Sequence, residues 1–197
     1  GSTGYGAYLD TSSNNNVYSN TITTRGGTSY GAYLDASSNN NVYSNTINTS
    51  GNAGVGAYLF SSSNNSVYSN NFTTTNITSY GIYLNSNVYN NTIYDNNITT
   101  KNTTRSYGVY LLRNVNNNTF FRNTISSLAA GIAINGSLQT AAQTTRFNTF
   151  TNDTIVPCTA GCASNYYDIV LTSNATDITF LNVSFNKSRV AIVPRDP

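Results

Sequence analysis

Residues 14–22 spell NNNVYSNTI, and residues 39–47 spell the same nine letters again, 25 positions later. Aligned on this echo, the chain reads YGAYLDTSSNNNVYSNTIT from Tyr5, YGAYLDASSNNNVYSNTIN from Tyr30 and VGAYLFSSSNNSVYSNNFT from Val55. Units from Tyr80 and Tyr107 fit after one extra residue in the first turn; a sixth, from Ala130, carries a longer insertion, and a seventh, from Asp168, matches loosely. A fixed period of roughly 20 to 50 residues points to a solenoid or propeller, because one unit cannot bury its apolar face alone and must stack on a copy.

Within each unit apolar residues alternate, as Ala7 and Leu9 do around Tyr8, in runs too short for helices and separated by Ser/Asn corners. Several short strands per unit, stacked in parallel on the next unit about 4.8 Å away, make a parallel β-helix. The expected fold is all-β: one solenoid of six or seven coils of about 25 residues, roughly 30 Å long, without substantial α-helix. One domain spans 1–197, with regular coils over 5–129 and irregular coils plus the C-terminal end over 130–197. Three stacks are expected to fill the interior: Leu9, Leu34, Leu59, Leu84, Leu111 and Ile134; Val17, Val42, Val67, Ile93, Phe120 and Phe150; and Ile22, Ile47, Phe72, Ile98, Ile125 and Ile155. Asn20, Asn45, Asn70, Asn96 and Asn123 share one register, and Asn15, Asn40, Asn65, Asn91, Asn118 and Asn148 another. Asn tolerates left-handed backbone at corners and its amide can bond the next copy along the axis, so each is expected to be a ladder rung.

The pattern GIYL…SNN…V…N.I resembles the parallel β-helix repeat of the pectate-lyase-like superfamily, especially Asn-rich versions in archaeal and bacterial surface proteins, and is similar to repeats in periplasmic proteins that help mature nitrous oxide reductase. The resemblance covers residues 5–155 clearly and 168–193 weakly. It implies right-handed coiling, as does the usual chirality of parallel crossovers. For function it implies little, since such coils serve enzymes, adhesins and structural proteins alike.

Charged residues make up only 8% of the chain and the net charge is +2, which gives no electrostatic case for nucleic acid or an anionic membrane as partner. No apolar run approaches the roughly 18 residues of a membrane span. The absence of Met leads us to expect a processed or partial chain. Cys158 and Cys162, in PCTAGC, are the only cysteines. They suit a small local disulfide worth about 2 kcal/mol, and hence an oxidising compartment. A two-ligand metal site is the alternative, but the chain has no His, no Glu and no further Cys to complete it, so neither metal nor cofactor is expected.

Three surface signals bear on function. Polysaccharide hydrolases on the fold that this sequence resembles use clustered Asp, and the lyases often combine Asp-bound Ca²⁺ with an Arg or Lys base. Here Asp10 and Asp35 occupy equivalent outward positions on adjacent coils, a spacing open to a solvated pair, a retaining carboxylate pair or a cation site. Asp95 and Arg122 likewise suggest a surface ion pair, with Arg105 and Arg113 in the same region; a loop from Gly136 to Arg146 is the best wall for a cleft. The second signal is aromatic: Tyr8, Tyr33, Tyr58, Tyr83 and Tyr110 form one outward column, and Tyr18, Tyr43, Tyr68, Tyr94 and Phe121 another. Such strips stack on themselves and can also contact sugar rings. The third is a set of thirteen N-glycosylation acceptor sequences, N-x-S/T, beginning at Asn48, Asn64, Asn71, Asn76, Asn90, Asn97, Asn102, Asn117, Asn135, Asn152, Asn174, Asn182 and Asn186. An Asn/Ser/Thr-rich chain produces some by chance, yet Asn64, Asn90 and Asn117 share a register, as do Asn71 and Asn97.

The expected role is an extracellular or cell-surface structural rod carrying covalent glycans; the alternatives are a polysaccharide lyase or hydrolase and a carbohydrate-binding module. The first coil begins as a full repeat and carries no acceptor sequence, whereas the far end departs from the repeat and closes with VAIV before Pro194. The N-terminal edge is therefore expected to be covered, by another copy's C-terminal end in a head-to-tail filament or by a missing upstream segment.

Overall fold

A computed structural model describes residues 2–136, 144–172 and 174–193, and within them the chain winds into seven coils. All named strand pairs are parallel. They build four sheets, with each coil contributing one strand to most of them. Sheet 1 has eight strands, from Thr3–Asp10 to Val190–Ile192. Sheet 2 has four, from Val88–Tyr89 to Ala175–Thr176, prolonged toward the first coil by single bridges at Ser13, Ser38 and Ser63. Sheet 3 has seven, from Asn16–Tyr18 to Thr179–Leu181, and sheet 4 has six, from Thr21–Thr24 to Thr154–Val156. Among the described residues the single helical element is a three-residue 3₁₀ turn, Lys187–Arg189.

The register is the one that the repeat implies. Leu9 pairs with Leu34, Leu34 with Leu59, and so on to Ile134, while the Val17 and Ile22 stacks run alongside. A fourth stack fills the space between them: Ala32, Ala57, Ile82, Val109, Ile132 and Ile169, all buried. Where sheet 1 comes closest to sheet 4 every regular coil has glycine. A Cβ on Gly56 would lie 2.5 Å from the Gly81 carbonyl oxygen and 2.7 Å from Cδ1 of Phe72. The seventh coil puts Asp168 at this position, one residue after the Ala130–Tyr167 pair, and its sheet-4 segment shrinks to a single bridge at Ser184.

The corners divide a task that the sequence assigned to one residue. The backbone is left-handed not at the ladder asparagines but at the residue before each: Asn14, Asn39, Asn64, Asn90 and Asn117 in one column, Ser19, Ser44, Ser69, Asp95 and Arg122 in the other, with φ between 54° and 61°. That twist turns the following asparagine inward, where from the second coil onward it is buried, while Asn15 and Asn20 on the first coil remain exposed. Asn70 shows the pattern. Its backbone N and its Nδ2 both donate to Oδ1 of Asn96 (3.0 Å each), its Nδ2 also donates to the Val42 carbonyl (2.9 Å), and its own Oδ1 accepts both donors of Asn45. A third, shorter ladder of serines runs parallel: the Ser12 amide donates to Oγ of Ser37, and the Ser37 amide to Oγ of Ser62.

At the N-terminal end nothing described covers the first coil. Leu9 and the partly buried Ala7 and Val17, with Ser12 and Asn15, line an open mouth of about 580 Å³. Both ladders end there on Oδ1 atoms, of Asn15 and Asn20, that receive no donor among the described residues. At the far end Ile178 and Val183 take the ladder registers, and the strand Val190–Ile192 begins an eighth coil on sheet 1 alone. Pro194 lies outside the described residues.

Candidate functional site

The first expected constellation separates. Asp10 and Asp35 do pair in register on sheet 1, followed outward by Phe60, Asn85 and Leu112. Their oxygens serve local hydroxyls: Asp35 Oδ2 accepts from the hydroxyls of Tyr33 (3.1 Å) and Tyr8 (3.4 Å), and Asp10 Oδ1 accepts from Thr11 Oγ1 (2.9 Å). Arg122 holds Asp95 through two hydrogen bonds, 2.7 and 2.8 Å, which lower the carboxyl's pKa, and both side chains are solvent-exposed. Arg113 sits at a different corner, between sheets 1 and 2, so it does not join them. Arg105 lines a cavity of about 200 Å³ with Thr103, Tyr107, Ala130, Asn165 and Tyr167, a lining without a carboxylate. Among the described residues no three His, Cys, Asp or Glu side chains come together to hold a metal. Most of the Gly136–Arg146 segment, residues 137–143, lies outside the described residues; Thr145–Arg146 is a strand of sheet 2.

The aromatic columns form as expected, with one addition. Tyr18, Tyr43, Tyr68, Tyr94 and Phe121 stack at 4.7–5.1 Å with planes within 5° of parallel, and the guanidinium of Arg122 lies 4.7 Å from the Phe121 ring centre. Tyr8, Tyr33, Tyr58, Tyr83 and Tyr110 stack at 4.8–5.2 Å. Beside them a further column was not foreseen: Tyr5 on Tyr30 (5.5 Å) and Tyr80 on Tyr107 (5.7 Å), interrupted by Val55. The glycine at Gly6, Gly31 and their equivalents interrupts the strand pairing, so residues three apart both face outward and strict alternation fails there. The result is a wall two rings wide. Interior rings spend their faces on one another; what they present to solvent is edges and hydroxyls. Tyr58 is only 8% exposed, against 47% for Tyr8 at the open end. Burial raises the phenol pKa of Tyr58, Tyr80, Tyr83 and Tyr110, and in Tyr33 burial is reinforced by the Asp35 carboxylate.

The acceptor asparagines sort cleanly from the rungs. Asn64, Asn71, Asn90, Asn97, Asn117, Asn152, Asn182 and Asn186 are exposed, and Asn48, Asn76, Asn102, Asn135 and Asn174 are partly exposed. None is buried, and none of the buried ladder asparagines begins an acceptor sequence. Asn64, Asn90 and Asn117 line one left-handed corner, while Asn71 and Asn97 open the strands of sheet 4. Asn97 Nδ2 lies 3.4 Å from Asn71 Oδ1, so neighbouring sugars on that row would crowd.

Cys158 and Cys162 form a disulfide closing the loop after Thr154–Val156. The loop is anchored by parts that no motif announced: the Cys158 amide donates to the Tyr166 hydroxyl (3.4 Å), and Arg189 lies over the Tyr166 ring (4.9 Å) and donates to the Cys158 carbonyl (3.3 Å). No helix among the described residues is long and apolar enough to cross a membrane.

Compared with known families, the chain matches the model of the right handed beta helix region over residues 1–155. No curated protein and no solved structure matches it.

Proposed function

This chain belongs to the right-handed β-helix family, and on that premise we propose that it is an extracellular structural rod, N-glycosylated along its corners, of the Asn-rich surface-protein kind within the pectate-lyase-like superfamily. One observation carries the reading: in a chain whose asparagines are divided between a buried scaffold and a solvated surface, all thirteen acceptor sites fall on the accessible side. Covalent sugars there would supply the solubility that 8% charged residues do not. The disulfide is compatible with an oxidising, extracellular setting.

The unlike ends extend the proposal. The first coil offers free strand edges over an apolar mouth, to be covered either by an upstream segment or by a second copy's C-terminal end in a head-to-tail arrangement that does not close on itself. The backbone amides of Ile178 and Val183 would then face Asn15 and Asn20, although β-strand Val190–Ile192 must first yield its place on sheet 1.

Mass spectrometry of the natural protein tests the glycosylation. Discrete mass steps on enzymatic deglycosylation, mapping to some of the thirteen sites with gaps on the Asn71/Asn97 row, are expected. A mass equal to that of the bare polypeptide would remove the idea. Electron microscopy of the same material tests the ends: continuous fibres support stacking, and dispersed monomers refute it.

A further inference from the structure

The Asn20 ladder does not end on an asparagine. Its sixth rung is Asp153, whose Oδ1 takes both donors of Asn123, the backbone N at 2.7 Å and Nδ2 at 2.9 Å, as an asparagine would. The difference lies in the second side-chain atom. In every interior rung that atom is Nδ2, and it donates to a carbonyl of the preceding coil: Asn96 to Val67, Asn123 to Ile93. By register the carbonyl awaiting Asp153 is that of Phe120. Asp153 is 1% exposed, and its Oδ2 makes no hydrogen bond. A carboxylate has no hydrogen to offer such an acceptor, and an unpaired buried charge is costly.

We propose that Asp153 is held as a neutral carboxylic acid whose proton stands in for an amide hydrogen, so that the last rung of the ladder closes in acid and loosens as the proton leaves. The charged groups around it do not offset the cost of ionisation. The coil beneath brings Arg122, which is turned outward onto Asp95; its own coil brings Thr151 and Asn152; the coil above brings Val183, with Lys187 and Arg189 in the turn beyond. Arg189 is engaged with Tyr166 and Cys158, and Asp168, the other buried carboxylate, lies on sheet 1 and accepts the Asn186 amide. Among the described residues none of these forms an ion pair with Asp153. Burial accordingly pushes its pKa up to about 6, against the opposing pull of the Asn123 donors and the Thr151 backbone.

The folded pKa lies above the unfolded one, so the native state keeps a proton that the unfolded chain releases, and stability falls as pH rises between those values. The window runs from about pH 4 to 6. Across it and on to about pH 8, starting from about pH 4.5, the unfolding equilibrium should move about 30-fold toward the open state. The coils after Thr149 should loosen first, because their ladder contact is the one lost.

The test is a carbon-13 titration of the Asp153 carboxyl in the intact protein, alongside urea unfolding and amide exchange at the two pH values. A midpoint near 6, a destabilisation with rising pH, and the loss of that dependence in Asp153→Asn would support the proposal. A midpoint in the ordinary aspartate range, or an Asp153→Asn variant with the same pH slope as the parent, would overturn it. If Asp153→Asn does not fold, the titration of the unaltered chain decides alone.

Discussion

Asn70 and Asn71 are neighbours of the same type, and the fold gives them opposite burdens. Asn70 is a buried rung; Asn71 is exposed and faces solvent from the start of a sheet-4 strand. Removing the Asn70 carboxamide by Asn70→Ala strips the Asn45 amide of the acceptor at 3.0 Å that it uses, and leaves the Val42 carbonyl and Asn96 Oδ1 each one donor short. One orphaned buried N–H costs about 1 to 3 kcal/mol and each further lost bond about 1. A total of about 3 to 5 kcal/mol follows, a large share of the roughly 5 to 15 kcal/mol that holds a typical domain. Asn71→Ala loses one long exposed contact to Asn97 and should stay within about 0.5 kcal/mol. Urea unfolding of the unglycosylated chain, followed by circular dichroism, compares the two directly. Equal midpoints would refute the division between rung and surface.

Two further outcomes follow from the packing. Gly56→Ala places a methyl against the Gly81 carbonyl and the Phe72 ring and should cost more than about 2 kcal/mol, whereas Gly161→Ala, at φ 67° with open space around it, should cost about 1 from backbone strain alone; thermal melts of both separate crowding from strain. The desolvated phenols of Tyr58, Tyr80, Tyr83 and Tyr110 keep their protons in the native state, so ultraviolet titration at about pH 11 should show less phenolate in the folded protein than in urea, and stability should fall as pH rises above about 10.

The columns were legible because a period written into side chains survives substitution: Leu for Ile or Val for Phe leaves the apolar stack readable, and all three expected stacks pair as aligned. What the letters hid was orientation. In an Asn-Asn pair such as Asn64-Asn65 both residues suit a corner, and only the left-handed backbone of the first decides that the second turns inward. Asp153 escaped because it breaks the identity of the ladder while keeping its geometry. The tyrosine wall escaped in part because Gly6 and its equivalents break the two-residue alternation from which facing is read. The Asp95–Arg122 pair was visible from register alone, but where Arg113 sits depends on which corner each turn occupies, which a linear alignment does not show.

The glycine column and the three ladders repeat at the same offset in each of the first three coils, which makes length a free variable of this architecture. A segment such as 28–52, copied in tandem, would meet the same neighbours above and below that its parent meets, with Gly31 facing Gly, Asn40 facing Asn and Leu34 facing Leu. Each such duplication would lengthen the molecule by about 4.8 Å without creating a new kind of contact. Lineages carrying this chain are therefore expected to change in length by whole coils more readily than by single residues.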